Sequence, residues 1–208
     1  MRAARAALAR RPAKVLAWKD RPDRKVFTTS KSTNHWTPAE LFQPLNEEFH
    51  FTLDPAAAPE NAKCLVYYTA KQDGLTLPWP GRWFCNPPYQ RKRKGKLGET
   101  GDWVRYGLEQ VTLGISEIGC FLLPSSTSNN WFTSLRRGIG ATGRAFYDVK
   151  KDRLWIQGEK VNVAFTFLDE RVGFLTDGKP AGDPAFFSSL VAIIVPSGSR
   201  WSPRELRR

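Results

Sequence analysis

Two consecutive prolines, Pro87 and Pro88, constrain this chain more than any other feature of its sequence. They follow the run Arg82-Trp-Phe-Cys85, whose aromatic content is typical of a buried strand. Neither proline can donate a hydrogen bond to a strand ladder, so the strand must end at Asn86. The tetrapeptide Asn86-Pro87-Pro88-Tyr89 is therefore predicted to be a rigid strand exit that carries an amide and a phenol.

Apolar spacing elsewhere predicts helices and strands in alternation. Thr37-Pro38 with Glu40 indicates a helix start at which Thr37 is the N-cap. Predicted helices cover about 38–49, 102–117 and 129–137, and predicted strands cover 51–54, 64–68, 82–85, 119–123, a hairpin around 147–156, 161–168 and 190–195. The segment 169–186, rich in Gly, Asp and Pro, is predicted to be an exposed loop. This order predicts an α/β fold in which ligands collect where strands end, as Asp54 and Asn86 do.

The net charge of +12 is confined to a few short segments. Residues 1–31 hold 10 Lys and Arg against 2 acids, and residues 200–208 hold 4 against 1. Arg91, Lys92, Arg93, Lys94 and Lys96 form a third basic segment directly after Tyr89. We therefore predict a flexible basic arm at 1–31 with a short helix at 3–9, one domain at 32–199, and a basic tail at 200–208. Basic segments around a neutral body favour contact with nucleic acid phosphates.

Several classes of protein are disfavoured by what the sequence lacks. No apolar run reaches the roughly 20 residues of a membrane span, and the basic N-terminus has no apolar signal core, so we expect a cytoplasmic protein. Cys64, Cys85 and Cys120 match no metal or redox spacing and are predicted to be reduced core residues. His35 and His50 form no metal pattern, and no nucleophilic triad is indicated.

The strand exit at Asn86 suits chemistry on an exocyclic amine. Such an amine is a poor nucleophile because its lone pair is delocalised into the ring. The side-chain carbonyl of Asn86 and the backbone carbonyl of Pro87 can each accept one N–H, which favours a geometry in which the lone pair can attack. Tyr89 offers a ring on which an extruded base can stack. The plain alternative is a proline-rich strand exit with a packing tyrosine.

The chain resembles the phage-type, Dam-like DNA N6-adenine methyltransferases from about residue 35 to residue 132. The resemblance rests on five segments in order: HWTPAELF, FTLDPAAAPENAKC, DGLTLPW, WFCNPPY and FLLPSSTSNNWF. It implies a Rossmann-like methyltransferase domain with a mixed, mostly parallel sheet flanked by helices. It also implies S-adenosylmethionine as donor, a flipped adenine in double-stranded DNA as acceptor, and a phage or prophage origin.

Carried over residue by residue, the resemblance implies a catalytic role for Asn86, Pro87, Pro88 and Tyr89. It implies that Thr37 binds the cofactor's methionine carboxylate, Asp54 its ammonium group and Asp73 its adenine amine. The usual glycine-rich turn after Asp54 is replaced by Pro55-Ala-Ala-Ala-Pro59, and no acid follows Tyr67-Tyr68. The backbone near Ala56, or Asn61, is the expected substitute.

Two further segments are predicted to contact DNA. The basic residues 91–96 follow Tyr89, which places their charge at the mouth of the predicted site and favours phosphate contacts. Trp131 could form a wall of the base pocket or belong to the core. Open alternatives are methylation of cytosine N4, of RNA or of a protein glutamine, and a non-catalytic phage DNA-binding protein on a degenerate methyltransferase fold. No metal is expected, and the oligomeric state is not indicated.

Overall fold

The computed structural model describes residues 35–89, 98–126, 128, 130–180, 185 and 187–206. Three helices are present in this part of the chain: α1 (Ala39–Phe49), α2 (Thr100–Thr112) and α3 (Asn130–Gly138). The strands are β1 (Leu53–Asp54), β2 (Val66–Tyr67), β3 (Gly81–Cys85), β4 (Ser116–Pro124), β5 (Ala141–Asp148), β6 (Arg153–Gly158), β7 (Val161–Phe167), β8 (Leu175–Thr176), β9 (Lys179–Pro180) and β10 (Ser189–Pro196). The predicted short helix at 3–9 and the whole basic arm 1–31 lie outside the described residues.

Eight strands form one mixed sheet in the order β2-β1-β3-β4-β10-β7-β6-β5. The pairs β1–β2, β1–β3 and β3–β4 are parallel, whereas the four pairs from β4–β10 to β5–β6 are antiparallel. The α/β prediction is confirmed, but "mostly parallel" is wrong. Hairpins join β5 to β6 and β6 to β7, and short connections of this kind impose antiparallel pairing, whereas β10 joins the sheet antiparallel to β4 and β7 after a longer connection.

Each face of the sheet has its own core. On one face, α2 and α3 cover a cluster that includes Trp83, Phe121 and Trp131. On the other, α1 contributes Phe42 and Phe49 to a cluster with Phe84 and Ile193. Strand β10 lies between β4 and β7 and is buried on both faces, which explains why its sequence is apolar at consecutive positions. Helices on both faces of the sheet are what the sequence analysis predicted.

Two helix ends differ from prediction. Helix α1 begins at Ala39 with Pro38 at the N-cap position, so Thr37 is not the cap; its hydroxyl bonds elsewhere, as described below. Helix α2 ends at Thr112 and not at Glu117. Gly114 has a φ of +73° and its N–H bonds to the carbonyl of Val111, an arrangement that stops a helix.

Two segments that were predicted to be exposed contribute to the core. Within 169–186, Val172 and Phe174 are buried, and the hairpin β8–β9 follows them. The main chain of Trp36 exchanges two hydrogen bonds with that of Leu175, which adds a further bridge to this hairpin. In the segment predicted to be a basic tail, Leu206 is 2% exposed and its carbonyl accepts a hydrogen bond from Gln157.

Cys85 and Cys120 are buried, Cys64 is partly buried, and all three are free thiols, as predicted. Within the described ranges, no helix has the length and apolar character needed to cross a bilayer. The same ranges hold no group of three or more histidine, cysteine or acidic residues arranged to bind a metal ion.

Candidate active site

The carboxyl ends of β1, β2 and β3 meet at one edge of the sheet, because the strands are parallel and β1 lies between the other two. The segments that leave these strands begin at Pro55, at Tyr68 and at Asn86. They therefore converge, as expected for the ligand-binding edge of an open α/β sheet.

These segments border a small, partly open cleft with a volume of about 90 Å³. The lining is apolar, with small side chains between aromatic ones: Ala56, Ala57, Ala70 and Gly74 beside Tyr68 and Trp103. Pro88 of the strand exit also lines it. The cleft can therefore hold a flat ring, and it adjoins the tetrapeptide that contains Asn86.

Gly74 marks the closest approach between two segments around the cleft. A Cβ added at this position would lie 2.2 Å from the carbonyl oxygen of Pro55 and 3.2 Å from the Trp103 ring. The indole N–H of Trp79 donates to the Gly74 carbonyl at 2.7 Å and holds the segment in place. A glycine is required here because any side chain would push the cleft walls apart.

Trp103 places an unused donor beside the cleft. The residue lies in the first turn of α2 and is 2% exposed, yet its indole N–H has no hydrogen-bond partner within the described part of the chain. Buried indole N–H groups normally have one. Trp103 was not among the residues predicted from the sequence, although its spacing to the buried residues Gly107 and Gln110 places it on the same helix face.

Asn86 has an anchored amide nitrogen and an unpaired amide oxygen. Its Nδ2 donates to the carbonyl of His35 at 2.6 Å and to Oγ1 of Thr37 at 3.1 Å. Its Oδ1 is buried and accepts no hydrogen bond from any described residue. A buried acceptor without a donor costs about 1–3 kcal/mol, so only a few such atoms occur in a folded protein. The side chain thus offers one preset acceptor at the end of β3.

Tyr89 turns its hydroxyl into the protein, where it donates to the carbonyl of Leu122 at 3.0 Å. Burial, with a smaller effect of Cys85, holds the pKa of Tyr89 well above its usual range. The ring contacts His35, Phe174 and Phe187 at centroid distances of 5.7, 6.2 and 5.6 Å. The predicted stacking ring is therefore held rigidly by three aromatic neighbours that the sequence analysis did not identify.

Asp54 ends β1 and is 5% exposed. Its carboxylate accepts hydrogen bonds from the backbone N–H of Ala56 at 3.3 Å and of Lys63 at 3.1 Å. Burial raises the pKa of Asp54 to about 6, and the two backbone hydrogen bonds and the Lys63 charge only partly oppose this. Asp54 therefore shapes the loop that follows β1 and contributes a buried, titratable charge near the cleft.

Of the remaining residues predicted to bind the cofactor, only Ala56 is among those that line the cleft. Asp73 precedes Gly74, and its carboxylate accepts a hydrogen bond from the Leu75 N–H and so caps a short 3₁₀ helix. Asn61 is used locally, since its oxygen accepts from the Ala58 N–H. Thr37 contacts Asn86 and is not among the residues that line the cleft.

Of the two predicted DNA contacts, the structure describes only Trp131. Trp131 is 1% exposed and lies in the core against Phe132, so the structure offers no accessible ring for a base. Apolar burial of helix α3 against α2 explains this position. Arg91, Lys92, Arg93, Lys94 and Lys96 lie outside the described residues.

The mixed-sheet α/β domain is consistent with a methyltransferase-like fold, and its strand exit carries the Asn86-Pro87-Pro88-Tyr89 segment on which the resemblance rested. Comparison with known proteins gives the family. The model of the DNA N-6-adenine-methyltransferase (Dam) family matches residues 26–142, which is more than half of the 208-residue chain. The chain belongs to this family and is a DNA N6-adenine methyltransferase.

A curated relative agrees with this assignment. The protein named "Putative methyltransferase YfdM" of Escherichia coli (strain K12) is 39% identical over 61 residues. The match covers 26% of this chain and 67% of the relative. The family implies S-adenosylmethionine as the methyl donor and DNA as the substrate.

Proposed function

We propose that this enzyme methylates N6 of an adenine flipped out of double-stranded DNA, with Asn86 as the residue that binds the reacting amine. The observation that carries this proposal is the state of the Asn86 amide: both N–H groups are used, and Oδ1 is buried and unpaired among described residues. An adenine amine supplies the missing donor.

The chemistry follows from the two acceptors at the strand exit. Oδ1 of Asn86 accepts one N–H of the amine, and the carbonyl of Pro87 accepts the other. Together they favour the pyramidal form of the nitrogen, whose lone pair is then available for attack. The fixed φ of Pro87 and the rigid β3 end keep both acceptors in place, so little reorganisation is needed in the transition state. Bond formation to the methyl carbon leaves the nitrogen positively charged, and it then releases one of its N–H protons to water.

The cleft beside Pro88 is the proposed site of the methyl donor. When bound, S-adenosylmethionine supplies a methyl group activated by a positively charged sulfur. The apolar walls of Tyr68, Ala70 and Trp103 suit an adenine ring. Asp54 is the proposed partner of the ammonium group and Ala56 of the ribose side. The proposal therefore rests on the apolar lining of the cleft and on its position beside the strand exit.

The assignments of Asp73 to the cofactor's adenine amine and of Thr37 to its carboxylate also remain proposals. Asp73 keeps one carboxylate oxygen beyond its bond to the Leu75 N–H. Thr37 accepts a hydrogen bond from Asn86 and retains its own hydroxyl proton as a donor. Both side chains can therefore serve a ligand without giving up the contacts described above.

We propose that residues 91–96 contact DNA phosphates beside the target base. The proposal rests on their five cations and on their position immediately after the strand exit. Replacing Arg91, Lys92, Arg93 and Lys94 with Ser should weaken DNA binding and flatten its dependence on salt, because fewer counterions are released. An unchanged slope of log K against log salt would exclude this segment from the interface.

The decisive experiment for the proposed function is the Asn86→Ala variant. Methyl transfer from labelled S-adenosylmethionine to unmethylated duplex DNA should fall by at least about 100-fold, while cofactor affinity stays within about tenfold. Asn46→Ala is a matched control. The side-chain oxygen of Asn46 also has a structural role, since it accepts a hydrogen bond from the Phe51 N–H, but Asn46 lies near the end of α1 and away from the strand exit. Near-normal turnover of Asn86→Ala would refute the assignment.

A further inference from the structure

Segment 35–37 lies against the strand exit and accepts hydrogen bonds from both N–H groups of the Asn86 side chain. A side-chain amide has two N–H donors, and both are used here by one short stretch of chain. The His35 carbonyl takes one at 2.6 Å and Thr37 Oγ1 takes the other at 3.1 Å. A carbonyl oxygen can only accept, so the group facing His35 must be the nitrogen. This fixes which end of the amide is which.

The segment is itself held at several points. Trp36 exchanges two backbone hydrogen bonds of 3.0 Å with Leu175. The His35 ring packs on Phe174 at 5.0 Å and on Phe187 at 5.6 Å between centroids. Thr37 is 3% exposed, so its hydroxyl has little freedom to turn toward water. The two acceptors that meet Asn86 are therefore held by contacts with the hairpin segment, which is distant in sequence.

We propose that segment 35–37 is a positioning element that orients the Asn86 amide and makes asparagine obligatory at position 86 in this enzyme. The proposal rests on the proposed role of Asn86 and extends it. An aspartate at this position would place a carboxylate oxygen 2.6 Å from the His35 carbonyl, where two acceptors repel. Only the protonated acid, whose O–H can donate, would fit this arrangement.

The Asn86→Asp variant tests the requirement through its pH profile. At pH 8 its turnover should be at least about tenfold below that of the unmodified enzyme, and the ratio of the two should rise toward 1 as the pH is lowered to 6. Other groups facing this position are His35, whose pKa is lowered by burial, and Tyr89 and Cys85, whose pKa values burial raises. Asp54, with a pKa of about 6, titrates in both proteins, so its effect on turnover cancels in the ratio of the two rates.

Thr37 provides a second test that does not change Asn86. Thr37→Val removes one acceptor and should lower kcat by about three- to tenfold, whatever its effect on KM for the donor. Thr37→Ser should restore kcat. Thr52→Val is the matched control, because Thr52 makes a similar hydrogen-bonded contact with Arg82 near the start of β3. A rise in KM for the donor at constant kcat would overturn the positioning role and favour a cofactor contact.

A spectroscopic readout separates this inference from the activity itself. The side-chain NH₂ signals of Asn86, assigned by their loss in Asn86→Asp, should exchange slowly with solvent and exchange faster in Thr37→Val. Unchanged exchange in Thr37→Val, or an Asn86→Asp profile parallel to that of the unmodified enzyme, would overturn the inference while leaving the proposed function intact. Failure of Asn86→Ala to lose activity would instead remove the proposed function.

Discussion

Substitution of Gly74 by alanine should damage the cleft selectively, because the added carbon meets a backbone atom. The new Cβ would lie 2.2 Å from the Pro55 carbonyl oxygen, whereas ordinary contact begins at 3.4 Å. Because the atom it meets belongs to the backbone, the segment at Gly74 must move away from Pro55 by about 1 Å. This movement lengthens the hydrogen bond from the Trp79 indole N–H to the Gly74 carbonyl. Overpacking of this kind costs about 1–3 kcal/mol of unfolding free energy.

The same retreat moves one wall of the proposed cofactor site. We expect the Kd for S-adenosylmethionine, measured by titration calorimetry, to rise about tenfold or more, and turnover to fall further because a displacement of about 1 Å disturbs alignment of reacting groups. Gly173→Ala is the matched control, since a Cβ at Gly173 meets no atom within 4 Å and its φ is not positive. If Gly74→Ala loses the expected stability but binds the donor normally, the cleft is not the cofactor site.

Two further predictions concern buried charge. Because the folded-state pKa of Asp54 is about 6, above its ordinary value of 3.8, the folded protein binds more protons across that window and loses stability as pH rises through it. Between pH 4 and pH 7 this loss should amount to up to about 3 kcal/mol of unfolding free energy, measured by urea titration, and Asp54→Asn should remove it. An unchanged pH dependence in the variant would contradict the assigned pKa. Burial raises the pKa of Glu48, but hydrogen bonds from Arg153 and Lys151 outweigh it, so its pKa is lowered. The stabilisation that ionised Glu48 provides is complete above about pH 4.5 and is lost as the pH falls further. At pH 7, Glu48→Gln should lower the unfolding free energy by about 2 kcal/mol, because the buried Arg153 loses its charged partner. The exposed control Glu117→Gln should cost under about 0.5 kcal/mol, and equal losses would contradict the argument.

The sequence predicts the parallel half of the fold well because each strand there ends at a residue with an obvious physical reason. Asp54 ends β1 and Asn86 directly follows β3 as expected, and the cleft lies at the carboxyl ends of these strands. The α2 end was misjudged because Ile115 continues the apolar spacing, although it is 39% exposed. Gly114 was the local signal that outweighs that spacing.

The contacts around Asn86 could not be predicted in the same way. They depend on a backbone carbonyl at His35 and on the burial of Phe174, which lies in a segment of polar composition. Backbone acceptors have no sequence signature, and a buried phenylalanine among Gly and Asp resembles a loop residue. Trp131 shows the converse problem, since an aromatic side chain after a strand end fits a core and a binding wall equally well until its packing is known.

The two halves of the sheet differ greatly in strand length. β1 and β2 contain two residues each, whereas β4, β7 and β10 contain nine, seven and eight. A two-residue ladder holds few hydrogen bonds, and β2 is also the exposed outer strand, so β2 should open at lower free-energy cost than the antiparallel block. Amide hydrogen exchange should therefore be fast in β2 and approach the global limit in β10. The expected pattern is a slowly exchanging antiparallel block and a readily exchanging outer strand next to the proposed ligand cleft.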